Sequence, residues 1–217
     1  MPIIANPEIV KAVQQALDAG KAADRKFTQT VELAINLKNV DLSVPKNRID
    51  EEIPLPHGRG KTPKIAIFAS GELAVKSRDI ADTVITPDVL EELAKDKPQA
   101  KKVANAHTFF LSEAPLMTTI GKSLGTVLGP RGKMPRPVPP NFDPTGMVNN
   151  LRTTVKVRSK DKMTFHTPVG SEEMPAEELA ANIEAIMNRV RGRLEQGDQS
   201  LRSVFVKTTM GPSVRII

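Results

Sequence analysis

The segment Pro56-His57-Gly58-Arg59-Gly60-Lys61-Thr62-Pro63-Lys64-Ile65-Ala66-Ile67-Phe68-Ala69-Ser70 divides the chain into two textures. Its first eight residues are turn formers and chain breakers, with two prolines and two glycines. Its last seven hold the unbroken apolar run from Ile65 to Ala69. A strand that is apolar on every residue is buried on both faces, so it belongs in a parallel sheet flanked by helices. The downstream pattern agrees: a helix from about Gly71, a short strand at 83–85, a helix over 87–94, another near 98–105, a strand over 108–111 and a helix from about Pro115. That alternation predicts a small α/β unit, and it ends in a long irregular segment from Gly129 to Asn149.

Upstream of the break the period is two. From Lys26, residues Phe27, Gln29, Val31, Leu33, Ile35 and Leu37 share one face of a strand, and Thr28, Thr30, Glu32, Ala34 and Asn36 share the other. An amphipathic helix opens at Asn6 or Pro7 and stops at Gly20, and a short strand lies near 52–55. The same texture returns after the irregular segment. Strands are predicted over 151–160 and 163–169, then an amphipathic helix over 175–194 with Leu179, Ile183, Ile186, Val190 and Leu194 on one face. A strand over 201–208 and a short one over 213–217 close the chain. The fold expected is therefore two-domain, combining α/β and α+β. Residues 1–63 and 150–217 form a discontinuous α+β domain, and 64–149 form an inserted α/β domain. The two chain crossings, near residues 61–64 and 148–152, make a two-stranded hinge.

The 217 residues carry a net charge of +6, which favours a polyanionic partner. No apolar run approaches a membrane span, and the start of the chain has no signal-peptide pattern, so a cytoplasmic protein without a membrane partner is expected. There is no cysteine, hence no disulfide, thiolate nucleophile or zinc ribbon. His57, His107 and His166 lie in separate segments, with no metal-ligand spacing. Gly60-Lys61-Thr62 and Gly121-Lys122-Ser123 end like phosphate loops, but Leu55 and Leu116 stand where the leading glycine is required. No catalytic centre, metal or cofactor is expected. Aromatic content is low, and every ring is a phenylalanine. Readers of single-stranded RNA stack bases on several rings. The composition instead suits a folded RNA, recognised by backbone, 2′-hydroxyls and shape.

Three features could touch such a partner. Arg152, Lys156, Arg158, Lys160 and Lys162 would share one strand face, which is either a solvated surface or a seat for phosphates. The stretch between Glu113 and Asp143 lacks acids, and its Gly129-Pro130-Arg131-Gly132-Lys133-Met134-Pro135 core is either a surface loop or an anion-binding one. In Thr208-Thr209-Met210-Gly211-Pro212-Ser213, Gly211 permits positive φ and close backbone approach, and the hydroxyls can donate to RNA, although a plain hairpin turn would have the same composition.

Four segments also carry a resemblance. They are Lys26-Phe27-Thr28-Gln29-Thr30-Val31-Glu32, Pro54-Leu55-Pro56-His57-Gly58-x-Gly60-Lys61, Leu128-Gly129-Pro130-Arg131-Gly132-Lys133-Met134-Pro135 and Ser203-Val204-x-Val206-x-Thr208-Thr209-Met210-Gly211-Pro212-Ser213. In this order they resemble the family of the large-subunit ribosomal protein numbered one, in its archaeal form, over essentially the whole chain. The resemblance implies a split α+β sandwich domain with an inserted Rossmann-like domain. It implies a ribosomal, non-enzymatic protein that binds large-subunit rRNA and forms the mobile stalk near the exit-tRNA site, touching that tRNA transiently. It also implies repression through the protein's own messenger RNA, and a monomer when free. The alternative is a non-ribosomal RNA-binding repressor or an assembly factor. Carried over by motif, the RNA contacts are Lys26, Phe27, Thr30, Glu32, Ser203, Thr208, Thr209, Met210 and Gly211, with His166, Lys156 and Arg158 at the margin. Phe27 falls on the apolar side of the alternation, so either it packs partly in the core or the strand twists at its start.

Overall fold

In the computed structural model, residues 6–21, 25–139 and 143–217 are described. In chain order the elements are α1 (Pro7–Lys21), β1 (Thr30–Leu37), β2 (Asp50–Pro54), β3 (Ile65–Phe68), α2 (Gly71–Ser77), β4 (Thr83–Ile85) and α3 (Pro87–Lys95). Next come α4 (Lys97–Ala106), β5 (Phe109–Glu113), α5 (Met117–Ser123), α6 (Gly125–Leu128), β6 (Arg136–Val138) and α7 (Thr145–Thr153). The last are β7 (Thr154–Arg158), β8 (Thr164–Ser171), α8 (Ala176–Arg193), β9 (Leu201–Thr208) and β10 (Val214–Arg215). Contacts divide the chain into two units: residues 1–61 with 153–217, and residues 62–152. No described helix is long and apolar enough to cross a membrane.

The first unit is built on an antiparallel sheet of order β10-β9-β1-β8. Strict alternation in β1 buries Val31, Leu33, Ile35 and Leu37 and leaves Thr30, Glu32, Ala34 and Asn36 partly accessible. Val204 and Val206 of β9 and Phe165 and Val169 of β8 join the buried side. Against it pack Val13, Ala16 and Leu17 of α1 and Leu179, Ile183, Ile186 and Val190 of α8. Helix α1 begins where the sequence places it, with Asn6 Oδ1 accepting from Glu8 N at 3.0 Å. A separate ribbon pairs β2 with β7, and its Ile53, Val155 and Val157 enter the same core.

The second unit has a parallel sheet of order β4-β3-β5-β6. Ile65 and Ile67 face one cluster, with Leu73, Leu111, Val148 and Leu151. Ala66 and Phe68 face another, with Leu90, Leu93, Phe110, Ile120 and Leu128. Both faces of β3 are therefore covered, as its unbroken apolar run requires.

Three expectations are corrected by these elements. Part of the segment expected to be irregular is the helix α7, and the strand expected from Leu151 starts only at Thr154. Asp143 supplies the start signal: its Oδ1 accepts from Thr145 N at 3.0 Å and from Thr145 Oγ1 at 2.6 Å. Val148 and Leu151, three apart, then fall on one buried side. Residues 140–142 of the irregular segment, and 1–5 at the start of the chain, lie outside the described residues. The first long strand begins at Thr30 rather than Lys26, so Phe27 precedes it and is 52% exposed.

Leu33 is fully buried in the middle of the central strand. Leu33→Ala should destabilise this unit by about 2–5 kcal/mol, the usual cost of such a cavity. Urea unfolding followed by far-UV circular dichroism checks this, and a loss below about 1 kcal/mol would contradict the packing described.

Candidate nucleic-acid interface

The helices cover one face of the four-stranded sheet, and the register of the strands builds the other. Three cross-strand rows lie on that open face: Thr164–Asn36–Ser203, His166–Ala34–Phe205–Arg215 and Pro168–Glu32–Lys207. Thr164 and His166 are exposed, and the β1 and β9 members are half-buried. The first row is a hydrogen-bonded chain. Thr164 Oγ1 donates to Asn36 Oδ1 at 2.7 Å, and Asn36 Nδ2 donates to Ser203 Oγ at 2.8 Å. Because Ser203 accepts here, its own O–H remains a donor for a partner. Glu32 adds a carboxylate acceptor, placed directly opposite Lys207.

At the Thr30 end the face meets the 208–211 loop. Thr209 N donates to Thr30 O at 3.0 Å, and Thr209 Oγ1 accepts from Thr30 N at 3.2 Å. Gln29, buried at 2% exposure, ties this corner together. Its Oε1 accepts from Met210 N at 3.0 Å and its Nε2 donates to Gly20 O at 3.3 Å. Its own N–H donates to Glu172 Oε1 at 2.6 Å, while its carbonyl accepts from Glu172 N at 3.0 Å. One side chain and its peptide thus fasten the end of α1, the 208–211 loop and the turn after β8 to the start of β1. Phe27, two residues before Gln29, and Met210, bonded to it, are both exposed. Exposed apolar groups beside fixed polar ones suit a ribose or a base face.

Two glycines make the corner possible. A Cβ on Gly211 would stand 2.3 Å from Thr208 Oγ1, and one on Gly20 would stand 2.6 Å from the same atom. Gly211 does not adopt positive φ, so of its two expected uses only close approach is realised. Thr208 itself is fully buried, and its hydroxyl faces this contact rather than a partner. It acts as a spacer beneath the loop.

The model of the ribosomal protein L1p/L10e family matches residues 19–212, which include all of this face except Arg215. The chain is 50% identical to a protein of Archaeoglobus fulgidus over 216 residues, covering 99% of this chain and 100% of the relative. It is 51% identical over 215 residues to one of Methanocella arvoryzae, covering 99% and 100% respectively. It is 51% identical over 209 residues to one of Thermoplasma acidophilum, covering 96% and 95%. All three are named large ribosomal subunit protein uL1. The chain belongs to the ribosomal protein L1p/L10e family. Membership places it among ribosomal proteins, not enzymes.

In this L1-family chain, the expected contact residues do not all come together. Thr30, Glu32, His166, Ser203, Thr209, Met210 and Gly211 lie on or around the open face, and Lys26 and Phe27 are exposed in the segment that leads into β1. Lys156 and Arg158 lie on the β2–β7 ribbon instead, and acids on β2 engage them. Lys156 Nζ is 3.6 Å from Asp50 and 3.5 Å from Glu52, and Arg158 Nε is 3.0 Å from Asp50. The five-base strand face does not form, because Arg152 is in α7, where it donates to Ile80 O at 2.9 Å. Lys160 and Lys162 fall in the turn after β7.

The basic loop is also used internally. Lys133 Nζ donates to Ala104 O and His107 O, both at 2.8 Å, closing the carbonyl end of α4. Arg131 donates to Val127 O at 2.9 Å and to Asn105 Oδ1 at 3.2 Å. Burial first, and the nearby Arg131 second, hold the Lys133 ammonium below its ordinary value.

Sequence reasoning put Asn36 on the Thr30–Glu32 side of the strand, but missed Thr164, Pro168, Phe205, Lys207 and Arg215 as members of the face. Stepping by two from Ser203 gives Phe205 and Lys207, so that signal was present. Thr164 and Pro168 depend on the register of β8, which no local pattern fixes.

Gly211→Ala should lower the thermal midpoint by several degrees, since the added methyl must displace the loop. Adding Thr208→Ala removes the obstructing hydroxyl and should restore most of the loss. Differential scanning calorimetry of the two variants decides it; a double variant no better than Gly211→Ala would show that the close approach is unimportant.

Proposed function

We propose that this protein is a structural component of the cytoplasmic large ribosomal subunit, and that its open sheet face binds a folded element of large-subunit rRNA. One observation carries the reading: Thr30, Glu32, Ser203 and Thr209, distant in sequence, belong to one connected surface with fixed donors and acceptors. Its charged members are Glu32, Lys207 and Arg215. It offers Glu32 opposite Lys207, the Ser203 O–H as a donor and the exposed Met210 at its edge, with exposed Phe27 just before β1. Such a surface reads shape and 2′-hydroxyls rather than charge.

Residues 62–152 form a Rossmann-like domain in this reading, supported by the all-parallel order β4-β3-β5-β6 and by helices between successive strands. The chain passes into and out of this unit once each, near residues 61 and 153, a connection that supports reading it as the mobile stalk near the exit-tRNA site. Its contact with exit-site tRNA is transient, and the free protein is monomeric. The rRNA-binding face also binds a mimic of its site in the protein's own messenger and represses translation.

Met210→Asp changes an exposed side chain at the edge of the face, and Thr209→Val removes the hydroxyl that receives Thr30 N. Each should weaken specific rRNA binding at least tenfold, about 1.4 kcal/mol, with the circular dichroism spectrum unchanged. Filter binding to large-subunit rRNA against a nonspecific RNA competitor measures it. Unchanged specific affinity in both variants rejects the face as the interface. Cofractionation with mature large subunits distinguishes the ribosomal component from a free repressor.

A further inference from the structure

Beyond the Asn36 end of the sheet lies a groove of about 500 Å³ whose charged lining is Arg48, Asp50, Arg158, Lys160, Asp161 and Arg193, a net charge of +2. It belongs to the first unit but not to the open face. The turn between β7 and β8 joins the two places, since Leu37 N donates to Met163 O at 2.8 Å and Ser159 N donates to Ile49 O at 2.9 Å. Thr30 and Asn36 are six residues apart on β1, so the groove lies about 20 Å or more from the Thr209 corner, at about 3.3 Å per residue.

The charges here are held in place without all being neutralised. Arg48 is fixed by carbonyls, not by an acid: its Nε donates to Leu42 O at 2.8 Å and its Nη2 to Ser43 O at 3.4 Å. Lys160 is exposed and forms no ion pair among the described residues. It is the turn residue with φ of +51°, a conformation uncommon for a residue other than glycine, asparagine or aspartate. Ser159, almost fully buried, holds the turn by accepting from Ile49 N at 3.0 Å. Arg158 is paired with Asp50, and Arg193 stands 3.7 Å from Glu51.

We propose that this groove is a second RNA contact, a seat for sugar–phosphate backbone that continues from the helix or loop bound on the open face. The proposal rests on the rRNA-binding reading. It adds to the hydroxyl-bearing face, which supplies discrimination, a second place that supplies salt-dependent attraction. A groove in which Arg48 and Lys160 are positioned without an acidic partner suits a chain of phosphates.

The test compares the wild-type chain with Lys160→Gln/Arg193→Gln, and with Lys11→Gln/Lys95→Gln as a variant of equal net charge. Each is titrated with a large-subunit rRNA transcript at several potassium chloride concentrations. The groove variant should lose affinity several-fold at low salt, and its plot of log K against log salt should flatten by about 1–2. The control variant should match the wild type, and thermal midpoints confirm folding. Equal slopes in wild type and groove variant, or equal losses in groove and control variants, overturn the proposal. Failure of the wild type to bind rRNA would instead reject the parent reading. The chain has no cysteine, so Lys160→Cys offers one thiol for a tethered hydroxyl-radical probe. In the bound complex it should cut rRNA at a segment other than that cut from Ser213→Cys, an exposed position beside the Thr209 corner, and absence of any cut from position 160 also overturns the proposal.

Discussion

Strand β1 has to satisfy two surfaces at once, and the rest of the first unit depends on that constraint. It is hydrogen-bonded on both edges, by β8 and β9, and every second residue enters the core. A slip of one residue would expose Val31, Leu33, Ile35 and Leu37 together and bury Glu32 and Asn36. The energy that fixes the register comes from the apolar side, at roughly 1.5–3 kcal/mol for each such side chain buried. The polar side is then placed without having to stabilise anything. This is how a core can position a recognition surface whose own hydrogen bonds are few.

The corner at Gln29 solves a different problem. Where β1 begins, three segments converge from distant parts of the sequence, and their backbone groups need partners that no regular ladder supplies. A buried amide with one acceptor and two donors can serve two of them, and its own peptide serves the third. Small residues at Gly20 and Gly211 let the segments approach within contact of Thr208. The loop that presents Met210 is therefore held from below, and the exposed side chain needs no bonds of its own to stay in place.

Local patterns carried most of the fold. The alternation from Val31 to Leu37, the apolar run at Ile65 and the spacing of Leu179, Ile183, Ile186 and Val190 each correspond to an element with the expected buried side. Helix α7 escaped because its start signal, Asp143, lies in a stretch dominated by glycine and proline, and its apolar stripe has only two members. Phe27 could not be placed from period alone, since its position depends on where the ladder with β8 and β9 begins. Nothing local marked Gln29 as special. Its role exists only once residues 20, 172 and 210 have arrived beside it.

Charge was the least legible property, and the reason is physical. A run of bases at every second position predicts repulsion only if the neighbouring strand is unknown. With β2 alongside, Asp50 and Glu52 stand opposite Arg158 and Lys156, and the supposed anion seat becomes cross-strand pairing. Lys133 likewise turns inward to carbonyls at the end of α4, and Arg131 to the Val127 carbonyl in α6. What remains available to a polyanion is set by which cations lack acidic partners after folding, a quantity no composition reports. In this chain that remainder includes Arg48 and Lys160, in a groove apart from the shaped face. Attraction and discrimination can then be varied separately, since a change in one region leaves the hydrogen bonds of the other untouched.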